Sequence, residues 1–527
     1  MLSSFSLRNF RTFEERTEFD LSPLTVLVGP NSSGKSSLMK ALMLLKESCI
    51  RTDLTELEFA GGGHKLGSFG DIVSRRSNNE SIEFGFEFSY EVNNDSQFLN
   101  SDSRFIDGRK VWIVLKFNQR KHVSTCFGID RGQGFEALVE IMVPHPDAEC
   151  FDYSGAMVKS GRLESSDLFC WEPEQQKSTT GLYVNGPLIM DLIYETKTNL
   201  DVDIDLELLP KELNNEYTII DARYHKSILS DLGSNSARSS NSGEFFDHTL
   251  FFPSDFDKPT FEHKHVIQKS KFIRDNLKEL SIFCIDKLRH FLRAKNLTNL
   301  SHLRSGSKQV YTEDSIPNSF AQILRRVIHD PFPEKWTATG ELTPRHENIA
   351  MWLEDVGIGP RIEVEILGGS AYIIKIEDND KMVPITNVGY GISQLVPLIL
   401  YLAYPDKSGG SNSGSTFFLE EPEANLHPNF QARIADLLVK GLLRSSRAIV
   451  ETHSEYLIRR LQLLVARGEA STKDITIYYL GPDPSAEDYI RRITIDEHGQ
   501  LSQPFGPGFF DEATNLMMDL FKHGRKN

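Results

Sequence analysis

Four residues set the chemistry to look for. Gly29, Gly34, Lys35 and Ser36 stand at the spacing G-x-x-x-x-G-K-[ST] within GPNSSGKSS, with Pro30, Asn31, Ser32 and Ser33 between the glycines and Ser37 behind. A loop of this kind wraps a β-phosphate in backbone N–H groups, while its lysine neutralises the β- and γ-oxygens and its serine ligates Mg²⁺. A second group lies about 385 residues on, where the apolar run of TFFLEEPEANLHP ends in Glu420 and Glu421. Hydrolysis of a phosphoanhydride needs such a pair: Glu420 to hold Mg²⁺ through its water shell, Glu421 to orient and polarise the attacking water. Glu423 reads as a surface or helix-start charge. His453 follows the short apolar run Ala448-Ile449-Val450 inside ETHS. An imidazole just past the C-terminal end of a buried strand can reach a γ-phosphate and sense its loss. Finally, Gly389, Gly391, Ser393 and Gln394 open the apolar segment NVGYGISQLVPLILYL, a second helix start with the character of an anion site.

These groups need a scaffold that brings them together. Leu24, Val26, Leu27 and Val28 read as a strand buried on both faces, and Leu38, Leu42 and Leu45 recur at helical spacing behind the loop. Ahead of it, Phe5 and Leu7, a turn at Asn9-Phe10-Arg11, and Phe19 with Leu21 predict a strand pair leading into the loop. Residues 80–225 change period: Ile82, Phe84, Phe86, Phe88 and Tyr90 alternate, as do parts of 110–117, 135–143, 201–209 and 216–220, predicting antiparallel sheet. The Ser/Asn/Gly-rich run 228–243 predicts a mobile surface loop. Residues 264–308 read as helical and carry eleven Lys/Arg, among them Lys264, Lys287, Arg289, Arg293 and Lys308, against three acids. Such a run is either a solvated helix face or a surface for a phosphate backbone. Further helices are expected near 320–328 and 347–356, and strands near 361–367 and 371–376.

Composition sets the bounds. At 527 residues, two or three lobes are expected. The division predicted is 1–75 with the phosphate loop, 76–227 for a β-rich lobe, 228–345 for the Ser-rich loop and basic helices, and 346–527 with the second helix start, the acidic strand and His453. A formal charge of −16 argues against a uniformly basic surface, so nucleic acid would need a local patch or a partner to hold it. The five cysteines are scattered without C-x-x-C spacing, which predicts neither a disulfide framework nor a zinc site of that type and fits a reducing, cytoplasmic setting. No run approaches 18 apolar residues, and no signal peptide is evident, so a soluble protein without a membrane partner is expected.

Taken together, GPNSSGKS, the G-x-G-x-S-Q helix start, FFLEEPEANLHP and ETHS resemble the ATPase head of the ABC-type superfamily that includes RecF, SMC and SMC-like proteins and the OLD nucleases. Among these the chain looks most like the PtuA-like ATPases of Septu and retron phage-defence systems. The resemblance covers roughly 1–75 and 345–515 and implies an α/β P-loop head with a β-rich and helical insertion between its halves. It also implies ATP and Mg²⁺ as ligands, sandwiched in a homodimer between the P-loop of one protomer and the signature helix of the other, with a higher oligomer left open. Gly391 and Ser393, with Gln394, would then face the γ-phosphate across the interface, Lys35 and Ser36 would bind the nucleotide and Mg²⁺, Glu420 would serve Mg²⁺, Glu421 would be the base and His453 the switch histidine. Arg11 would lie near the nucleotide. The function implied is an ATPase that senses or grips DNA through 264–308 and regulates an HNH or other nuclease partner. The alternatives are a RecF-like repair ATPase and a slow ATPase acting as an assembly scaffold.

Overall fold

A computed structural model describes residues 2–89 (less 53, 55, 62–63 and 78–80), 110–119, 121–130, 135–142, 181–184, 218–221, 280–292 (less 281–282 and 286), 297–300, 310–312, 316, 318–332, 343–404 (less 356, 358 and 370), 415–442, 446–506 (less 485 and 487) and 510–524. The chain divides into two compact units, Met1–Asp20 with Ala41–Arg293, and Leu21–Lys40 with Ala294–Asn527. The helix Lys35–Thr52 begins in the second and ends in the first.

The first unit is built on an eight-stranded antiparallel sheet in the order Thr218–Asp221, Gly181–Val184, Phe135–Met142, Lys121–Asp130, Lys110–Asn118, Ser81–Ser89, Leu2–Arg8, Thr17–Asp20. Alternation explains it: Phe84, Phe86 and Phe88 share one face of their strand and are buried, and Phe5 packs against Phe86 with ring centroids 5.0 Å apart. On the opposite face Glu87 is buried but satisfied, its Oε1 accepting from Lys110 Nζ at 2.9 Å and Ser3 Oγ at 2.8 Å. The strand pair ahead of the P-loop belongs to this sheet, Phe5 pairing with both Phe19 and Phe86. The expected strand at 201–209 and the Ser-rich run 228–243 lie outside the described residues, as does most of the basic stretch 264–308. Of that stretch, 283–285 and 287–292 are helical, with Lys287 over the Phe283 ring at 5.2 Å, and Lys287 and Arg289 are half-buried. The reading of 264–308 as helical throughout is corrected at Leu297–Asn299, a short strand that pairs in parallel with Thr416–Glu420. Tertiary pairing overrides local periodicity there.

The second unit holds a six-stranded sheet in the order Leu297–Asn299, Thr416–Glu420, Arg447–Glu451, Leu24–Val28, Ile475–Leu480, Ile490–Ile493. The first five strands are parallel and the last is antiparallel. Helices Pro428–Leu442 and Glu455–Ala466 make the crossovers on either side of Arg447–Glu451. All five residues of Leu24–Val28 are buried, as a strand covered on both faces requires. Each of its Leu and Val side chains contributes about 1.5–3 kcal/mol through burial. Helix Tyr390–Ala403 is apolar nearly all round and lies in the same core, its Leu395, Val396, Leu398, Ile399 and Leu400 buried. Beside it in that core are Asn318–His329 and Pro344–Asp355, helices at the places expected, and the hairpin Ile362–Leu367 with Ala371–Asp378. Among the described residues no helix is long and apolar enough to cross a membrane.

Candidate nucleotide site

Parallel pairing puts the C-terminal ends of Leu24–Val28, Thr416–Glu420 and Arg447–Glu451 along one edge of the sheet. That edge is where a doubly wound sheet binds ligands. The chain leaves Val28 through Gly29, whose φ of 146° lies where other residues are strained, and a Cβ there would stand 2.2 Å from the Leu480 carbonyl oxygen. Glycine is therefore required both for the turn and for the close approach of the neighbouring strand. Asn31 and Ser32 are exposed, Pro30, Gly34 and Ser36 are half-buried, and Ser33, Lys35 and Ser37 are buried. Gly34 has φ 92° and Ser32 φ 64°. The Ser37 amide donates to the Gly34 carbonyl at 2.9 Å as the helix begins.

Lys35 curls back over its own loop, Nζ donating to the carbonyls of Gly29 at 2.8 Å and Pro30 at 2.7 Å. Burial lowers the pKa of its ammonium, while Glu451, Glu421 and Glu423 oppose that shift. The three carboxylates therefore lie close enough to be felt by the lysine. Ser36 Oγ donates to Glu451 Oε1 at 3.0 Å.

Glu420 is the register partner of Glu451 across two parallel strands. Glu421 takes φ 41°, strained for a residue with a Cβ, and its amide donates to the Glu451 carbonyl at 2.6 Å. The bond ties the kink to the neighbouring strand and leaves the half-buried Glu421 carboxylate facing His453, with Oε1 and Nε2 3.9 Å apart. His453 is itself held from behind. Its amide donates to Glu423 Oε1 at 2.7 Å, and the next residue, Ser454, caps helix Glu455–Ala466 by accepting from the Leu457 amide at 3.2 Å. The Ser454 hydroxyl donates in turn to Gln431 Oε1 at 2.7 Å. Glu423 thus corrects its sequence reading: it is 6% exposed, an inward-facing carboxylate whose pKa burial raises and the bond from His453 lowers.

Two residues escaped sequence reasoning. Glu451 lies within ETHS itself, 5% exposed, with its pKa raised by burial against the pull of Ser36 and Lys35. Tyr489 comes from beyond the last parallel strand, its buried hydroxyl donating to the Ser33 carbonyl and pinning the P-loop. A tyrosine about seventy residues past the acidic strand has no local signal, whereas a carboxylate at a strand's last position did.

The expected second anion-binding helix start is that of Tyr390–Ala403. Gly389 is exposed at φ 91° and Gly391 half-buried, a Cβ there meeting Leu426 Cδ2 at 3.1 Å. Ser393, expected to reach a partner's phosphate, is 1% exposed, and Gln394 is also buried. The inward side of an apolar helix holds them both. Arg11 belongs to the other unit, at φ 55°, its amide donating to the Ile72 carbonyl at 2.6 Å, so the NFR turn meets the LGSFGDIV segment.

The donor set suits Mg²⁺, which takes hard oxygen ligands: the Ser36 hydroxyl and the carboxylates of Glu420 and Glu451 lie on one sheet edge beside a phosphate loop.

Residues 471–520 match a family described as a protein of unknown function (DUF3696). Curated proteins provide no match to the chain. Solved structures resembling it include the SMC head bound to the C-winged helix domain of ScpA, at 12% identity over 94% of this chain and 97% of that one, with a TM-score of 0.34. The SMC head domain with an extended coiled coil bound to the C-terminal domain of ScpA, derived from Pyrococcus furiosus, shares 12% identity over 99% of both chains, TM-score 0.36. The SMC head domain from Thermotoga maritima shares 11% over 94% of this chain and 99% of that one, TM-score 0.33. Residues 1–458 match the AAA ATPase domain model, and with the P-loop and acidic strand ends on a common edge of an α/β sheet, the chain belongs to that ATPase family.

Proposed function

We propose that this protein binds and hydrolyses ATP at the sheet edge formed by Gly29–Ser37, Glu420, Glu421 and His453. The observation that carries it is the pairing of Glu421 with His453 beside Lys35: a carboxylate and an imidazole from different strands, 3.9 Å apart, next to a lysine that loops over a phosphate cradle. Lys35 meets the β- and γ-oxygens, and the loop amides hold the β-phosphate. Glu421 takes the proton of the attacking water and His453 hydrogen-bonds the γ-phosphoryl group. Ser36 and Glu420 would hold Mg²⁺, which when bound neutralises phosphate charge. Glu421→Gln is expected to lower kcat by about 10²–10⁴ with ATP affinity retained, and Lys35→Ala to abolish binding. Phosphate release and nucleotide titration measure both. Parental turnover in Glu421→Gln would show that the base lies elsewhere.

The finer reading is a homodimer closed around two nucleotides that itself senses or grips DNA and serves anti-phage defence by governing a nuclease partner. The motif set's likeness to PtuA-like ATPases supports the defence role. The dimer is supported by the start of helix Tyr390–Ala403, where exposed Gly389 offers backbone and no side chain provides a capping hydrogen bond among the described residues. With Ser393 buried, the cross-protomer contact falls to the amides around Gly389 and Gly391. A nuclease retained in stoichiometric amount when the protein is purified from native cells is the expected outcome for the defence reading.

A further inference from the structure

Glu421, Glu451 and His453 each offer one ligand atom, and these atoms lie within 4.8 Å of one another. We propose that the three side chains bind a borderline divalent transition-metal ion, of which Zn²⁺ is the test case, and that its binding withholds Glu421 and His453 from the hydrolytic water. The effect on hydrolysis rests on the ATPase reading; the binding of the ion does not.

The anchor is Glu451. It is 95% buried by its 5% exposure, one oxygen is taken by Ser36 Oγ, and Oε2 is buried without a hydrogen-bond partner among the described residues. A buried carboxylate oxygen left in that state is unfavourable, and a bound cation relieves it. The other two donors come from the kinked end of the acidic strand and from the residue two past Glu451. Both are half-buried and so have room to move. Zn–N and Zn–O bonds of about 2.0–2.2 Å place ligand atoms about 3–4 Å apart. The 3.9 Å between Glu421 Oε1 and His453 Nε2 already meets this, and closing the widest gap takes less than about 1 Å of side-chain rotation. One imidazole with two carboxylates favours Zn²⁺ over Mg²⁺, which prefers oxygen throughout. The His453 backbone amide is fixed by Glu423 Oε1, which sets the position from which the imidazole projects.

Isothermal titration of Zn²⁺ into the full chain, without nucleotide and with Mg²⁺ in excess, is expected to give one saturable site per chain. Glu451→Gln and His453→Gln should each weaken it by at least about tenfold, the least loss seen for even supporting groups of a metal site. Lys35→Ala, with the opposing ammonium removed, should bind Zn²⁺ at least as tightly while failing to bind ATP, which separates the metal site from the nucleotide site. Co²⁺ substitution supplies a readout that needs no variant: nitrogen and oxygen ligation gives visible bands without thiolate charge transfer. Zn²⁺ affinity unchanged in both variants, an absence of saturable binding, or a thiolate spectrum would each overturn the proposal. ATP hydrolysis inhibited by Zn²⁺ in the parent and not in Glu451→Gln supports the effect on turnover; inhibition equal in both overturns that part alone.

Discussion

At the scale of single residues, the placement of the candidate phosphate-site groups on one sheet edge was legible because their signals are local. Lys35 follows Gly34 at a fixed spacing and Glu421 ends an apolar run, so position relative to the strand announces where each stands. Glu423 was not legible, since nothing in PEANLHP says which way its side chain turns. That depends on His453, thirty residues later, whose amide claims it. Its burial has a consequence in solution. With its pKa raised, the folded protein holds the proton to higher pH than the unfolded chain does. Stability therefore increases as pH falls from the raised folded value toward the ordinary carboxylate range, and the ionised form is destabilising at neutral pH. Glu423→Gln keeps an acceptor for the His453 amide and removes the ionisation. Its Tm should exceed the parent's at pH 8, with the gap closing toward pH 5 in thermal melts at both pH values. A gap independent of pH would mean that Glu423 is not the titrating group.

At the scale of elements, periodicity found Asn318–His329, Pro344–Asp355 and the hairpin 362–378, and failed where pairing partners decide. Leu297–Asn299 is a strand only because Thr416–Glu420 lies alongside it, and Leu2–Arg8 joins the antiparallel sheet because Ser81–Ser89 takes its edge. The P-loop, read as a self-contained motif, leans on elements that follow it by more than four hundred residues. Gly29→Ala would drive a methyl group into the Leu480 carbonyl and should cost about 3 kcal/mol, with nucleotide binding lost, as denaturant melts and ATP titration would report. Tyr489→Phe is gentler. Losing one hydrogen bond to Ser33 is worth about 0.5–1.5 kcal/mol, so KM for ATP should rise about two- to tenfold while kcat stays within about twofold. A fall in Tm with KM unchanged would make that hydroxyl structural only. These two contacts give the segment of unknown function, 471–520, a part in shaping the phosphate loop.

At the scale of the whole molecule, the proposed sandwich dimer makes a direct demand. Glu421→Gln saturated with ATP should run at twice the chain mass of 59.8 kDa by light scattering, and Lys35→Ala should remain a single chain. A single-chain mass for the ATP-bound Glu421→Gln variant would remove the dimer from the mechanism. Strand order carries a further consequence, for synthesis. Leu24–Val28 leaves the ribosome early, yet the strands that flank it, Arg447–Glu451 and Ile475–Leu480, are made over four hundred residues later. At 5–20 residues per second, this fully buried strand waits for its neighbours for roughly 20–90 seconds. The nascent polypeptide is then a client for chaperones, and any truncation before residue 447 yields a product in which Leu24–Val28 lacks both of its neighbouring strands.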